Sequence, residues 1–306
     1  SDLLKAEYHH VPGASRIVVH WASLMPARDS FLEKTDRSDA FFRGLGVSAV
    51  GIYPRFNDWY LNVSLAGLLD RLVDIVGSYD EIINYGSSMG GYAAIVTAAD
   101  LGAHRVVAIS PQFSVNPLHV PFENRWRQYL DAADFTFERA MPHGPHPIQG
   151  VVVYDPAHSQ DSLHCHLIAA AFPEWQSLAL RFGGHPATLC LHDASEDGNF
   201  VRALLLNETP VRALLGMHKA ARRQSVCYWS GFAGKAKQRH PVWAEQAIGR
   251  ALDLETPTAE TLFRLGRTMT SIDLARGIAM MRRGMKMHPS PPPGWRRQIR
   301  NLGSGD

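Results

Sequence analysis

Cysteine is scarce in this chain, long apolar runs are missing and neither sign of charge dominates, and each absence narrows what the protein can be. Three cysteines, Cys165, Cys190 and Cys227, occur in 306 residues, an odd number without Cys-x-x-Cys spacing, so neither a disulfide framework nor a thiolate metal site is expected. Reduced thiols in a cytoplasmic protein account for them. No run of eighteen apolar residues is present, and the start Ser1-Asp2-Leu3-Leu4-Lys5 lacks a basic segment followed by an apolar core, so neither a membrane span nor a signal peptide is expected. The net charge is only +2, and 45% of residues are hydrophobic, enough to bury a substantial core in one large or two modest domains.

What is present is organised around Ile83-Asn84-Tyr85-Gly86-Ser87-Ser88-Met89-Gly90-Gly91-Tyr92. The apolar run from Glu81 to Tyr85 reads as a short buried strand, and Gly91 to Asp100 as an Ala-rich helix. Between them sits Gly-x-Ser-x-Gly. A serine on so tight a strand-to-helix turn is held in a strained backbone geometry, and its neighbours two residues away must lack side chains for the chain to turn. The turn is expected to push Ser88 up into solvent. It also places the Met89 N–H at a helix N-terminus, where partial positive charge favours an oxyanion.

The rest of the first two thirds alternates strands and helices, the pattern of a mainly parallel sheet. Strands are expected over 16–23, 47–53, 104–110, 150–156 and 177–182, with a helix over 64–77 whose Leu65, Leu68, Leu69, Leu72, Val73 and Val76 recur at helical spacing. The stretch from Gln112 to Pro147 breaks this rhythm with Pro117, Pro121, Pro142, Pro145 and Pro147 and reads either as a lid or as a surface excursion packed on the outer helices.

With its elbow in this context the chain resembles the α/β-hydrolase superfamily of serine hydrolases. The resemblance implies an α/β fold, a mostly parallel central sheet flanked by helices over residues 1–206, with a possible cap in the 112–147 insertion. It implies an acid and a histidine after the serine, in that order, at strand ends. Asp155 is the expected acid, because it ends the strand after the insertion; Asp161 is the competitor, and it suits capping of a helix over 162–172. His185, after Gly183-Gly184, resembles the Gly-x-Gly-His ending of the superfamily. The catalytic set is thus Ser88, Asp155 and His185, with Met89 as one oxyanion donor. Matching His20-Trp21 to the superfamily's His-Gly dipeptide gives Ala22 as the second donor, with Ser23 as its neighbour, since Trp21 stands where glycine is usual.

The activity this implies is hydrolysis of a carboxylic ester through an acyl-enzyme, on a small-molecule or glycan ester, without cofactor or metal. Acyl transfer and thioester hydrolysis use the same residues. His158, His164 and His166 lie near two carboxylates, but their spacing fits no ligand pattern, and histidines on opposite helix faces cannot converge on one ion.

From Asn207 onward helical patterns take over. Residues 207–306 hold 17 Lys/Arg against 7 Asp/Glu, whereas residues 1–206 hold 14 against 22. Aligning Ala247 with Ala279 and Pro257 with Pro289 gives a repeat of 32 residues that resembles tetratricopeptide repeats. A protein partner through these helices, or self-association, is the corresponding expectation. Nucleic acid is disfavoured, because no base-stacking or groove-reading motif accompanies the cations. A catalytically silent scaffold binding an acidic partner is the alternative from a different class.

Overall fold

The computed structural model describes residues 3–24, 38–130, 133–141, 147–254 and 256–303. Pro142 and Pro145 of the insertion lie outside the described residues. The chain forms two compact units, one of Ser1–Arg181, His185–Thr188 and Asn199–Leu214, the other of Phe182–Gly184, Leu189–Gly198 and Leu215–Asp306. The sequence boundary at residue 206 therefore falls inside a stretch belonging to the first unit.

Among the described residues the first unit holds seven strands: β1 (Leu4–His9), β2 (Arg16–Trp21), β3 (Ser48–Pro54), β4 (Glu81–Ser87), β5 (Arg105–Ile109), β6 (Gln149–Tyr154) and β7 (Gln176–Ala179). Their order across the sheet is β1-β3-β2-β4-β5-β6-β7. Only β1 runs antiparallel to its neighbour; the other five pairings are parallel. Every residue of β3 and β5 is buried, as expected of interior parallel strands covered on both faces. The edge strand β1 was not anticipated from the sequence: Leu4-Lys5-Ala6-Glu7-Tyr8-His9 is mostly polar, and only pairing along β3 makes it a strand.

The helices among the described residues are α1 (Ser38–Gly44), α2 (Ser64–Val76), α3 (Met89–Val96), α4 (Arg127–Leu130), α5 (Ser159–Ala171), α6 (Leu189–Asp193), α7 (Asp197–Leu206), α8 (Val211–Ala221), α9 (Val226–Ala236), α10 (Pro241–Leu254), α11 (Ala259–Met269), α12 (Leu274–Met287) and α13 (Pro293–Gly303). Helix α2 buries Leu65, Leu69, Leu72 and Val76 on one stripe, while α3 is buried on all sides. Helix α5 buries Asp161, His164, Cys165, Ile168 and Ala171, so the stripe that seats it also carries three titratable groups.

The insertion packs against the main core through Trp126, Tyr129, Leu130 and Phe135. Arg105, buried at the start of β5, donates to the carbonyls of Leu204 (2.6 Å) and Leu205 (3.1 Å) at the end of α7 and pairs with Glu81 at 3.3 Å. A guanidinium there satisfies carbonyls that a helix end leaves without partners.

The chain order places a switch point beside the elbow. β3 lies on one side of β2, and the α2 crossover brings β4 to the other, so the loops at the carboxyl ends of β2 and β4 flank one crevice.

In the second unit alanines dominate one helix-packing core: Ala233, Ala236, Ala244, Ala247 and Ala251 interleave with Val226, Ile248, Leu265 and Met269. Its last two helices hold most of the basic excess, since residues 274–303 contain seven Lys/Arg and no carboxylate.

Candidate active site

Ser88 joins β4 to α3 with φ 51° and ψ −119°, a conformation that costs a non-glycine residue about 1–3 kcal/mol. Packing sustains it. The Ser88 N–H donates to the Ile109 carbonyl of β5 at 2.8 Å, and its carbonyl accepts the Tyr92 N–H at 3.0 Å. A Cβ on Gly86 would collide with the Gly90 carbonyl, and one on Gly90 with the Trp21 carbonyl of β2. The two glycines of Gly-x-Ser-x-Gly are therefore fixed by backbone-on-backbone approach. Ser88 is not solvent-exposed as the turn alone suggests; it is 4% exposed, because Gln112 and His185 flank its hydroxyl.

Ser88 Oγ lies 3.0 Å from His185 Nε2. The other ring nitrogen, Nδ1, lies 2.7 Å from a carboxylate oxygen, and that carboxylate is Asp161, not Asp155. Asp155 accepts the Ala157 N–H at 2.8 Å, and its own carbonyl accepts the His158 N–H at 3.0 Å. These two bonds close the turn that leads into α5. The strand-end aspartate is thus occupied in starting the helix, and the carboxylate that meets His185 comes from the helix's first turn. Nor does Asp161 act as the cap: the His158 side chain takes that place.

Asp161 is 1% exposed. Burial works to raise its pKa, but the hydrogen bond from His185 and the charges of His185, His158 and Arg125 outweigh it, holding the carboxyl below the ordinary aspartate value. The N-terminal turn of α5 adds partial positive charge of the same effect. An ionised Asp161 accepts the Nδ1 proton, which leaves Nε2 as the acceptor facing Ser88. His158, whose ring centre is 5.7 Å from that of His185, has its pKa lowered by burial despite the nearby Asp161.

Of the two expected oxyanion donors, Met89 opens α3, and its N–H meets no backbone acceptor among the described residues. Ala22 is a different case. Its N–H donates to the Ile52 carbonyl at 2.9 Å, and its carbonyl accepts the Tyr60 hydroxyl at 2.8 Å. The β2–β3 pairing runs one rung past the end of β2, within the strand expected over 16–23, and commits this amide. Ser23, the next residue, makes no backbone hydrogen bond among the described residues.

Gln112 completes the first ring of neighbours. Its Nε2 is 3.4 Å from Ser88 Oγ and 3.3 Å from the Ser110 carbonyl, and its Oε1 accepts the Trp59 indole N–H at 2.9 Å. Trp59 and Tyr60 both take positive φ, 54° and 60°, in a loop tied by Asp58, which accepts from the Tyr60 N–H and from Asn62 at 3.0 Å each. Trp126 of the insertion places its ring centre 5.6 Å from that of His185 and 5.8 Å from that of Trp59. Among the described residues no group of three or more His, Cys, Asp or Glu is arranged to hold a metal ion.

No protein-family model and no curated protein matches the chain. Solved structures do. A glycosylation-associated protein complex from Streptococcus agalactiae is similar at 12% identity and TM-score 0.44 over 67% of this chain, which spans only 44% of that one. A capsule O-acetyltransferase of Neisseria meningitidis serogroup A is similar at 12% identity and TM-score 0.44, over 67% of this chain and 92% of that one. A hyperthermophilic esterase from Pyrobaculum calidifontis is similar at 17% identity and TM-score 0.42, over 70% and 81%. The activities in those names belong to those proteins. What decides the fold here is the strand order with one antiparallel edge and the strained serine between β4 and α3. This is the α/β-hydrolase fold.

Within that hydrolase fold, sequence reasoning brought Ser88 and His185 together and named Met89 at the helix start. It weighed Asp161 second. The signal in its favour was its place on the buried stripe of α5, four residues before Cys165 and seven before Ile168, which only the packed helix makes visible. Gln112, Glu123, Arg125 and Trp59 carried no local signature, because their relation to Ser88 exists only across elements.

Proposed function

We propose that the protein is a serine hydrolase that forms an acyl-enzyme on Ser88, with a carboxylic ester as substrate. The observation that carries this is the continuous relay Ser88 Oγ–His185 Nε2, 3.0 Å, and His185 Nδ1–Asp161 Oδ2, 2.7 Å, mounted on a strained elbow. His185 takes the hydroxyl proton as Oγ attacks the carbonyl carbon; Asp161 holds the imidazole and stabilises its cation. The amides of Met89 and Ser23 receive the charge that develops on the carbonyl oxygen. His185 then delivers its proton to the leaving alcohol, and a water activated by the same imidazole frees the acid. If a second hydroxyl takes the place of that water, the product is a transferred acyl group, and the relay serves both outcomes.

Labelling with a fluorophosphonate, read by intact mass, tests the reading without knowledge of the substrate. One adduct per chain is expected in wild type, mapped to Ser88 and absent in His185→Ala. Folded wild type that stays unmodified at saturating probe overturns it.

A second, non-catalytic reading rests on the carboxylate-free stretch 274–303. Arg282, Lys286, Arg296 and Arg300 rim a groove of about 520 Å³ floored by Met285 and Ile299. An acidic, partly apolar protein segment is the occupant this chemistry fits, and tetratricopeptide-like stacking of α10 to α13 belongs to the same reading. Binding of a glutamate-rich, leucine-containing peptide should weaken at least tenfold in Arg296→Glu/Arg300→Glu, with Ser88 labelling unchanged. Equal binding by both proteins rejects it.

A further inference from the structure

Three ionisable groups beside the relay, Glu123 and His164 buried and Arg125 half-buried, have no part in the acyl-transfer steps. Arg125 donates from Nη1 to Asp161 Oδ1 at 2.7 Å, so each oxygen of that carboxylate has its own strong donor, His185 on one and Arg125 on the other. Arg125 is itself gripped by Glu123, through Nε to both carboxylate oxygens (3.0 and 3.1 Å) and through Nη2 to Oε2 (2.5 Å). Glu123 Oε2 lies 3.0 Å from His164 Nε2, and His164 Nδ1 accepts the Phe113 N–H at 3.1 Å. Side-chain exposure is 1% for Glu123 and Asp161, 0% for His164 and 16% for Arg125.

The two residues that Arg125 and Glu123 reach, Asp161 and His164, stand three apart on one face of α5. Residues 123–125 therefore clip the insertion onto that helix at two points, and one of the two is the carboxylate that holds the base.

We infer that Arg125, fixed by Glu123, is the positioning residue of the relay, setting both the direction of the Asp161 carboxylate and the net charge felt by His185. The inference rests on the acyl-enzyme reading above. A lone aspartate on a first helical turn has a free χ2 rotation; a guanidinium fork on its second oxygen removes that freedom. The charges matter as well. An isolated arginine would cancel Asp161 and withdraw its support from the imidazolium, but Glu123 offsets the arginine, so the Asp161–Arg125–Glu123 chain keeps one net negative charge. The buried carboxylate of Glu123 has its pKa raised by burial, yet its bonds from His164 and Arg125 prevail and hold it down to about 2, so it stays ionised over the working range. His164, whose pKa burial lowers, serves it as a neutral partner. The ionisable groups that face His185 are then Asp161 from α5, His158 capping that helix and Ser88 from the elbow, with Arg125 behind Asp161 and Asp155 behind His158.

The test is the second-order rate constant for fluorophosphonate labelling of Ser88 as a function of pH, measured on full-length protein. Its acidic limb reports loss of the base. Removing the cation in Arg125→Met favours the imidazolium and should move the limb to higher pH, on the order of half a unit to one unit, with the plateau rate down on the order of tenfold or more. Glu123→Gln leaves the arginine uncompensated and should move the limb the opposite way. Arg125→Lys, which keeps the charge and is the variant to use if the methionine protein does not fold, should leave the limb in place while lowering the plateau. Opposite shifts in the two charge variants support the inference. A lowered plateau with an unmoved limb in both, or no change in either, overturns it and leaves the relay standing. Wild type that does not react at Ser88 overturns the acyl-enzyme reading and this inference with it.

Discussion

Ser88→Ala is expected to lower turnover of any ester substrate by about 10⁴-fold to 10⁶-fold, the range found when the nucleophile of such a relay is removed. The residual rate would come from the oxyanion donors and from substrate binding. Stability should move little, because alanine meets the same unfavourable φ of 51° as serine and the lost hydroxyl has, among the described residues, the long Gln112 contact besides His185. Ser88→Gly separates the two effects further. Glycine has no Cβ to strain at positive φ, so this variant should gain about 1 kcal/mol in denaturant unfolding while losing activity just as completely. An elbow that stores strain for function predicts this opposition of signs. Ser88→Ala with more than about a tenth of wild-type turnover would remove the nucleophile from the mechanism.

Asp161→Asn is expected to cost about 10⁴-fold in kcat, and Asp155→Asn less than about tenfold. An amide at position 161 would offer its NH₂ or a neutral oxygen to His185 Nδ1. In the first case the proton is forced onto Nε2, where it blocks the acceptor that Ser88 needs; in the second the imidazolium loses its counter-charge. Arg125 biases the outcome, since it requires an acceptor on the other side of the same group. At position 155 the relevant bond is a backbone N–H from Ala157 donated to Oδ1, and asparagine retains an oxygen there. Measuring kcat for the two variants side by side, with folding checked by circular dichroism, assigns the acid. Loss of similar size in both, or the larger loss in Asp155→Asn, would reverse the assignment.

The first unit's sheet was readable because burial on both faces forces near-continuous apolar runs, as in Ser48–Pro54 and Arg105–Ile109, and because a tight strand-to-helix turn demands small residues at Gly86 and Gly90. The polar edge strand β1 was not, since an edge needs a partner more than an apolar pattern. The choice between Asp155 and Asp161 followed the same division. A strand-end position is visible in sequence, but whether an aspartate's oxygens are consumed by its own turn depends on the local fold, and which helical carboxylate reaches His185 depends on how α5 seats against the sheet. Ala22 shows it again: one more rung of the β2–β3 pairing decides whether an amide is free to bind an oxyanion.

The sequence by itself determined the elbow, the alternation of strands and helices and the basic character of residues 207–306, and it pointed to Ser88 and His185, because these follow from local sterics, periodicity and charge. Only the tertiary structure decided which carboxylate meets His185, that the Ala22 amide is committed to the Ile52 carbonyl, and that Arg125, Glu123 and His164 stand behind Asp161. Those outcomes depend on side chains far apart in sequence sharing one largely buried volume, where an unpaired charge or amide is costly enough to select a single arrangement.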